Sequence, residues 1–218
     1  MERPSNACHP FYCIMLVLLL ASITHANVVG VFYDSTVPQS DFAASEIKTA
    51  LHGKDHTVEL KPLSELSTEY PNQKIVLSLA AHSAAGQVLS IQGGATLSGL
   101  GEQAYALRTT TKGGKSYWVL GGDVSGLMYG GLQMAENIRF NGLAGTYNSQ
   151  ESPYIMNRGV KYNLPLDARV PTYVGYGDKP LSKAFGGDAA KKAIHSVWDM
   201  TYWEDWFDEM ARARFNVI

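Results

Sequence analysis

Apolar positions along this chain fall into short runs whose period changes from one run to the next. "NVVGVFYD", from Asn27, is an unbroken β-branched and aromatic run, the pattern of a buried strand. "QSDFAASEIKTALHG" then switches to helical spacing. Phe42, Ile47 and Leu51 share one face, Ser40 or Asp41 supplies an N-cap, and Gly53 ends the helix. "HTVELKPL" and "QKIVLSLA" predict two more strands, the second with no polar break at its centre. Together they predict a β-α-β-like start to a small mixed sheet.

"AYALRTTTKGGKSYWVLGG" predicts a hairpin, because Gly113-Gly114 accepts the positive φ angles of a tight turn between two β-prone runs. "DVSGLMYGGLQMAENIRF" follows as a helix capped by Ser125 or Asp123. Met128, Gly131, Leu132, Ala135 and Ile138 recur on one of its faces. Glycines 126, 130 and 131 cost helix propensity, up to about 1 kcal/mol each, so their presence predicts a close neighbour against the helix backbone.

"FNGLAGTYNSQESPY" is polar and rich in Gly and Asn, and it reads as a boundary ending at Pro153. Beyond it, Met156 to Leu164 predicts a strand, and a long Gly-, Pro- and Asp-rich segment follows. The last helix carries Thr201 and Glu204 at capping-box spacing. Its apolar stripe is Trp203, Trp206, Phe207, Met210, Ala211 and Phe215, with Arg212 and Arg214 in the last turn. Phe215 to Ile218 then reads as the first residues of a new strand. Strand, loop, amphipathic helix and new strand form one βαβ unit of a parallel sheet, and a helix with so wide an apolar face expects a sheet beside it. The simplest expectation is a (β/α) barrel that begins near Pro153, with the chain cut off at its second strand.

Composition narrows the function classes. The 18 Lys+Arg against 20 Asp+Glu give a formal charge of −2, which makes no electrostatic case for nucleic acid. The first 26 residues hold one basic residue, Arg3, and an apolar run from Phe11 to Ala21. Thr24-His-Ala26 follows with small residues at its ends. That is the pattern of a cleaved secretory signal, since a spanning helix needs about 20 apolar residues. Cys8 and Cys13 are the two cysteines and both leave with the signal, so the mature chain has no disulfide framework, no thiol nucleophile and no membrane segment.

Most catalytic motifs are missing. "GLGEQA" matches the letters of a dinucleotide fingerprint, but no clean strand precedes it and a hairpin strand, not a helix, follows. There is no Walker loop, no H-E-x-x-H and no G-x-S-x-G elbow. His52, His56, His82 and His195 are scattered, without metal spacing, and read as surface or helix-end residues. No cofactor or metal is expected. "KKAIH" is a short basic stretch on a solvated face.

One constellation remains, "NRGVKYNLPLDAR". Arg158 and Lys161 lie at or in the predicted strand, with Asp167 and Arg169 just past its C-terminal end. In (β/α) barrels that end forms the active face, so all four are candidate substrate-binding residues. An arginine fork can hold vicinal hydroxyls or a carboxylate, and an aspartate can accept from hydroxyls. Equally, Asp167 and Arg169 can pair with each other to shape the loop. Tyr173 and Tyr176 either stack a sugar or pack the loop.

"DVSGLMYGGLQMAENI" followed by "SPYIMNRGVKYNLPLDAR" resembles the accessory domain and barrel start of secreted exo-glycosidases, the α-glucuronidases and β-N-acetylhexosaminidases. The resemblance rests on Gly126, Leu127, Tyr129, Gly130, Gln133, Pro153, Arg158, Gly159, Asp167 and Arg169. "WFDEMARARFNVI" is similar to the first barrel helix and second strand of the same group. The resemblance implies that Arg169 contacts substrate hydroxyls near the barrel mouth, and that the catalytic acids lie on later barrel strands. One residue stands between Asp167 and Arg169, a shorter spacing than hexosaminidases use.

The expected fold class is therefore α/β. A signal occupies 1–26, an accessory α+β domain with a small mixed sheet 27–152, and the first βα unit of a truncated (β/α)8 barrel 153–218. The expected function is that of the N-terminal fragment of a secreted, exo-acting glycoside hydrolase, α-glucuronidase-like or hexosaminidase-like, whose partner is a carbohydrate. The whole protein would break down polysaccharides or oligosaccharides, and the fragment alone would be inactive. The alternatives are a non-catalytic exported carbohydrate-binding or adhesion module and, on fold analogy only, a small-molecule-binding α/β domain. Oligomeric state stays open.

Overall fold

The structure is a computed structural model that describes residues 27–92, 94, 99–112, 114–160 and 200–217. The expected signal, Lys161, Asp167, Arg169, Tyr173, Tyr176 and His195 lie outside the described residues. In chain order the elements are β1 (Val28–Tyr33), α1 (Pro38–His52), β2 (Thr57–Pro62), β3 (Gln73–Leu79) and α2 (Ser83–Ile91). Then come β4 (Tyr105–Thr110), β5 (Ser116–Gly121), α3 (Val124–Asn141), β6 (Ser149–Glu151) and α4 (Met200–Arg212).

Among the described residues the strands form one mixed sheet in the order β2-β1-β3-β5-β4-β6. β2, β1, β3 and β5 run parallel, and β4 pairs antiparallel with both β5 and β6. The fold is mixed α/β, as the alternation of strand and helix patterns predicts. β1, β3 and β5 are buried nearly throughout, which is why they read as unbroken apolar runs. β2 is an edge strand, and its exposed Glu59 and half-buried Lys61 with the terminal Pro62 suit an unpaired rim.

Side-chain alternation divides the core in two. Val29 and Val31, Ile75 and Leu77, Tyr117 and Val119 point to the face covered by α1 and α3. Phe32, Val76, Trp118 and Leu120 point to the opposite face, under Ala85 and Leu89 of α2. The buried Trp118 indole donates to Thr110 Oγ1 at 3.2 Å, and that hydroxyl donates to Gln92 Oε1 at 3.2 Å. An apolar face thus carries a buried polar chain, satisfied at Trp118 and Thr110 but leaving the Gln92 Nε2 without a partner among the described residues.

Details differ from the sequence reading in three places, and one open alternative, the cap of α3, is decided. α1 begins at Pro38 with Val37 as its N-cap, so neither Ser40 nor Asp41 caps it. Proline lacks the N–H that a cap would satisfy and its fixed φ starts the helix early. Ser40 is thereby buried in the first turn, and Asp41 complements the helix dipole. α3 is capped by Asp123, not Ser125, through Oδ1 accepting from the Gly126 amide at 2.7 Å. Ser149–Glu151, read as part of a linker, forms the edge strand β6 beside β4. α2 carries no expectation from the sequence at all. Its small, weakly periodic residues hide a helix capped by His82, whose Nδ1 accepts from the Ala85 amide at 3.2 Å.

The glycines of α3 do have the predicted neighbours. A Cβ on Gly126 would stand 2.1 Å from the Ala104 carbonyl oxygen, and one on Gly131 would stand 2.5 Å from Ala43 Cβ. Small residues on both helices let α1 and α3 approach closely.

Past β6 the described residues of the predicted strand at 156–164 form no ladder. Gly159 makes a single parallel bridge to Val217. No residue of α4 is buried. Among the described residues no helix is long and apolar enough to cross a membrane.

Candidate functional site

Arg158, the one sequence-predicted site residue within the described set, sits where the 152–160 segment, the end of α4 and the loop before β4 converge. Its guanidinium donates from Nε to the Arg214 carbonyl at 2.8 Å, from Nη1 to the Ile155 carbonyl at 2.5 Å and from Nη2 to Gln103 Oε1 at 2.8 Å. The same group lies over the Tyr129 ring of α3, 5.2 Å from its centroid. The planar fork of arginine fits this set of oxygens, and a lysine would reach one of them at a time.

Asn216 completes the joint. Its Oδ1 accepts from the Arg158 amide at 2.8 Å, and its Nδ2 donates to the Met156 carbonyl at 2.8 Å and to Gln103 Oε1 at 3.1 Å. The amides of Asn216 and Val217 both reach the Arg158 carbonyl, at 2.7 and 3.0 Å. Gln103 and Arg214 hold left-handed backbone, φ 58 and 59, which side chains other than glycine adopt at a cost of about 1 kcal/mol. Both contact Arg158. Local strain is thus concentrated where the two parts of the chain meet.

A cleft of about 360 Å³ opens beside this joint, lined by Tyr105, Tyr129, Glu151, Tyr154, Arg158 and Arg214 among others. Burial, then the charge of Glu151, pushes the Tyr105 phenol up to about 12, so it stays a hydrogen-bond donor at any physiological pH. Arg214 Nη1 pairs with Glu136 at 2.9 Å. Aromatic faces, a phenol donor and a carboxylate can hold a hydroxylated ligand by stacking and hydrogen bonding.

The cleft does not supply an acid–base pair. Glycoside hydrolysis needs two carboxyl functions across the scissile bond, or one aided by the substrate. Among the described residues Glu151 is the one acid that lines the cleft. Among those residues, too, no group of three or more His, Cys, Asp or Glu could hold a metal ion.

Sequence reasoning found Arg158 from its place in "NRGVK" but not its partners. Gln103 lies inside the rejected "GLGEQA" motif, and Asn216 in the final strand-like residues, far from Arg158 along the chain. The parallel register of Gly159 with Val217, which brings them together, has no local signature. Where Lys161, Asp167 and Arg169 stand relative to the cleft lies outside the described residues.

No protein-family model matches the chain, and no curated protein does either. Among solved structures it is similar to a GH138 enzyme targeting the pectin rhamnogalacturonan II, with a TM-score of 0.53 and 18% sequence identity over 87% of this chain. It also aligns with a GH115 4-O-methyl-α-glucuronidase with specificity for decorated arabinogalactans, at a TM-score of 0.47 and 16% identity over 86% of the chain. The chain spans about a quarter of each of those proteins, 23% of the first and 24% of the second. The GH138 likeness shows a shared, glycoside-hydrolase-like fold.

Proposed function

We propose that this chain is the N-terminal part of a secreted, exo-acting glycoside hydrolase, α-glucuronidase-like or hexosaminidase-like. In this reading 1–26 is the export signal, 27–152 the accessory α/β domain and 153–218 the first βα unit of the catalytic barrel. The observation that carries it is the fold shared with the GH138 enzyme across both parts of the chain. The parallel bridge between Gly159 and Val217, on either side of α4, adds the hand-over expected of a βαβ unit. The unburied aromatic stripe of α4 fits a helix that a larger barrel would cover.

The GH138 neighbour targets the pectin rhamnogalacturonan II, so a glycan with many hydroxyls is the substrate class proposed here. Lys161 would contact it from the first barrel strand, and Asp167 and Arg169 from the loop that follows. Arg158, whose donors are engaged at the joint, would set the position of that strand and reach substrate only through it. The catalytic carboxyl groups would come from barrel strands beyond those in this sequence, with no cofactor required.

The test is hydrolysis. A longer reading of the same gene that adds strand–helix repeats should cleave aryl glycosides with saturable kinetics, and the 218-residue chain should not. Saturable cleavage by the 218-residue chain alone would overturn the division of labour proposed here.

A further inference from the structure

A second cavity lies at the opposite side of the sheet from the joint, among the carboxyl ends of β1, β2 and β3. α1 leaves β1 on one face of the sheet to reach β2. The chain from β2 to β3 crosses on the other face, where Leu63, Leu66 and Tyr70 pack against Phe32 and its neighbours. Connections that depart on opposite faces leave a gap between neighbouring strand ends, and open α/β sheets take their ligands there. Here the gap measures about 600 Å³, within the range of small-molecule sites.

Its chemistry is specific. The rim carries Asp34, Thr36, Ser64 and His82, and Leu63 and Ala85 give it apolar wall. Asp34 Oδ1 accepts from the Thr36 hydroxyl at 2.6 Å and from the Thr36 amide at 2.9 Å, which holds the carboxyl below its ordinary value and ionised at neutral pH. Among the described residues nothing donates to Asp34 Oδ2. His82 Nδ1 accepts from the Ala85 amide at 3.2 Å, which puts the proton of the neutral ring on Nε2 and makes that nitrogen a donor.

We propose that this crevice binds an uncharged pyranose. A pyranose offers hydroxyls that both donate and accept around a ring with apolar C–H faces. A fixed carboxylate oxygen, an imidazole N–H and a serine hydroxyl over an aliphatic wall complement that pattern. The Asp34 charge excludes uronates and other anionic sugars, which separates this crevice from an α-glucuronidase-like catalytic site. The choice of a sugar rests on the glycosidase reading, whereas the existence of a ligand site rests on the crevice.

The experiment is an amide-shift titration of the 218-residue chain by NMR, with the methyl glycosides of galactose, glucose and xylose and, separately, with D-glucuronate. At least one neutral glycoside should give saturable shifts at Asp34, Thr36, Ser64 and Ala84, with dissociation constants on the order of 1 mM. Glucuronate should bind at least about tenfold more weakly, from loss of a charge-assisted hydrogen bond and added repulsion. Asp34→Asn keeps an acceptor for Thr36 but replaces the free oxygen by a donor, and it should weaken binding about tenfold. Ala84→Phe, on the exposed first turn of α2, should block the mouth. No saturable shift with any neutral glycoside, equal binding of glucuronate, or binding indifferent to both substitutions would overturn the proposal. Glycoside hydrolysis by a longer chain carrying Asp34→Asn reads the glycosidase reading independently. Activity there with no saturable shift in the wild-type 218-residue chain sinks this proposal alone, and binding by the wild-type chain without activity in the longer one sinks the other.

Discussion

Arg212 of α4 donates to Glu46 Oε1 of α1 through Nε at 3.2 Å and Nη2 at 3.0 Å, across 166 residues of sequence. Arg139 of α3 takes the other oxygen, Oε2, at 2.6 Å. One carboxylate therefore fastens three helices, and it is the main ionic contact between α4 and the sheet's covering layer. The Glu46 side chain is 11% exposed, so its charge cannot fall back on water if either arginine is lost.

Glu46→Gln should cost about 2–3 kcal/mol in urea unfolding at pH 7, shared between the Arg139 and Arg212 pairs because the two arginines are about equally exposed to solvent screening. Burial raises the Glu46 pKa, but the hydrogen bonds from Arg139 and then Arg212 outweigh it, and its carboxyl titrates below the ordinary 4.5. A lowered carboxylate pKa contributes stability that is present above the unfolded value and lost as pH falls through the folded one. The wild-type chain should therefore lose stability below about pH 4.5. Glu46→Gln should flatten that part of the profile, and an unchanged profile would remove Glu46 from the account.

Arg158→Lys should loosen the joint without unfolding the sheet. A lysine keeps one charge over Tyr129 but cannot serve Gln103, Ile155 and Arg214 together, a loss of about 2 kcal/mol. Hydrogen exchange should rise at 154–160 and 214–217 and stay unchanged in β1, β3 and β5. In a longer, active chain the same change should lower kcat and leave KM nearly as it was, because the residue positions a strand. A rise in KM with exchange unchanged would instead make Arg158 a substrate contact.

The parallel core was legible because β1, β3 and β5 are buried on both faces, so their apolar runs are continuous and cannot be mistaken for amphipathic patterns. The hairpin at Gly114 and the crowding at Gly126 were legible for local reasons, a turn and a propensity penalty. α2 was not, because Ala84, Ala85 and Gly86 lack a strong apolar period and the helix is held by contacts with Phe32 and Val76 from other strands. The site was less legible than the fold. Arg158 stands out in the sequence as a charge near a strand. Its use as a clamp depends on Gln103 and Asn216, which only the register of Gly159 with Val217 brings to it.

Gly126→Ala should destabilise the chain even though alanine favours helix by about 1 kcal/mol over glycine. The added Cβ would stand 2.1 Å from the Ala104 carbonyl oxygen, and backbone cannot move aside as a flexible side chain does. α3 would have to withdraw from the start of β4, at a net cost of about 2 kcal/mol or more. Gly53→Ala, at φ −66 with only ordinary contacts of 3.5 Å or more around its Cβ, should be nearly neutral and serves as the control. A stabilising Gly126→Ala would mean that α3 packs farther from β4 than described.

Lys74 gives the opposite sign. It lies mid-sheet on β3 at 1% exposure, and its Nζ donates to the Ser67 carbonyl at 2.6 Å. Burial lowers its pKa from the ordinary 10.5. For a base, a lowered folded pKa means that the unfolded chain binds the proton better, so the group opposes folding most below its folded pKa. That cost declines as pH rises towards 10.5 and is gone above it. Lys74→Met keeps the volume and removes the charge, and the Ser67 carbonyl, on an exposed residue, can turn to water. The variant should gain about 1 kcal/mol at pH 7, and the gain should shrink as unfolding is measured at rising pH. A loss of stability, or a gain that does not change with pH, would show that the lysine is better solvated on that face than its burial implies.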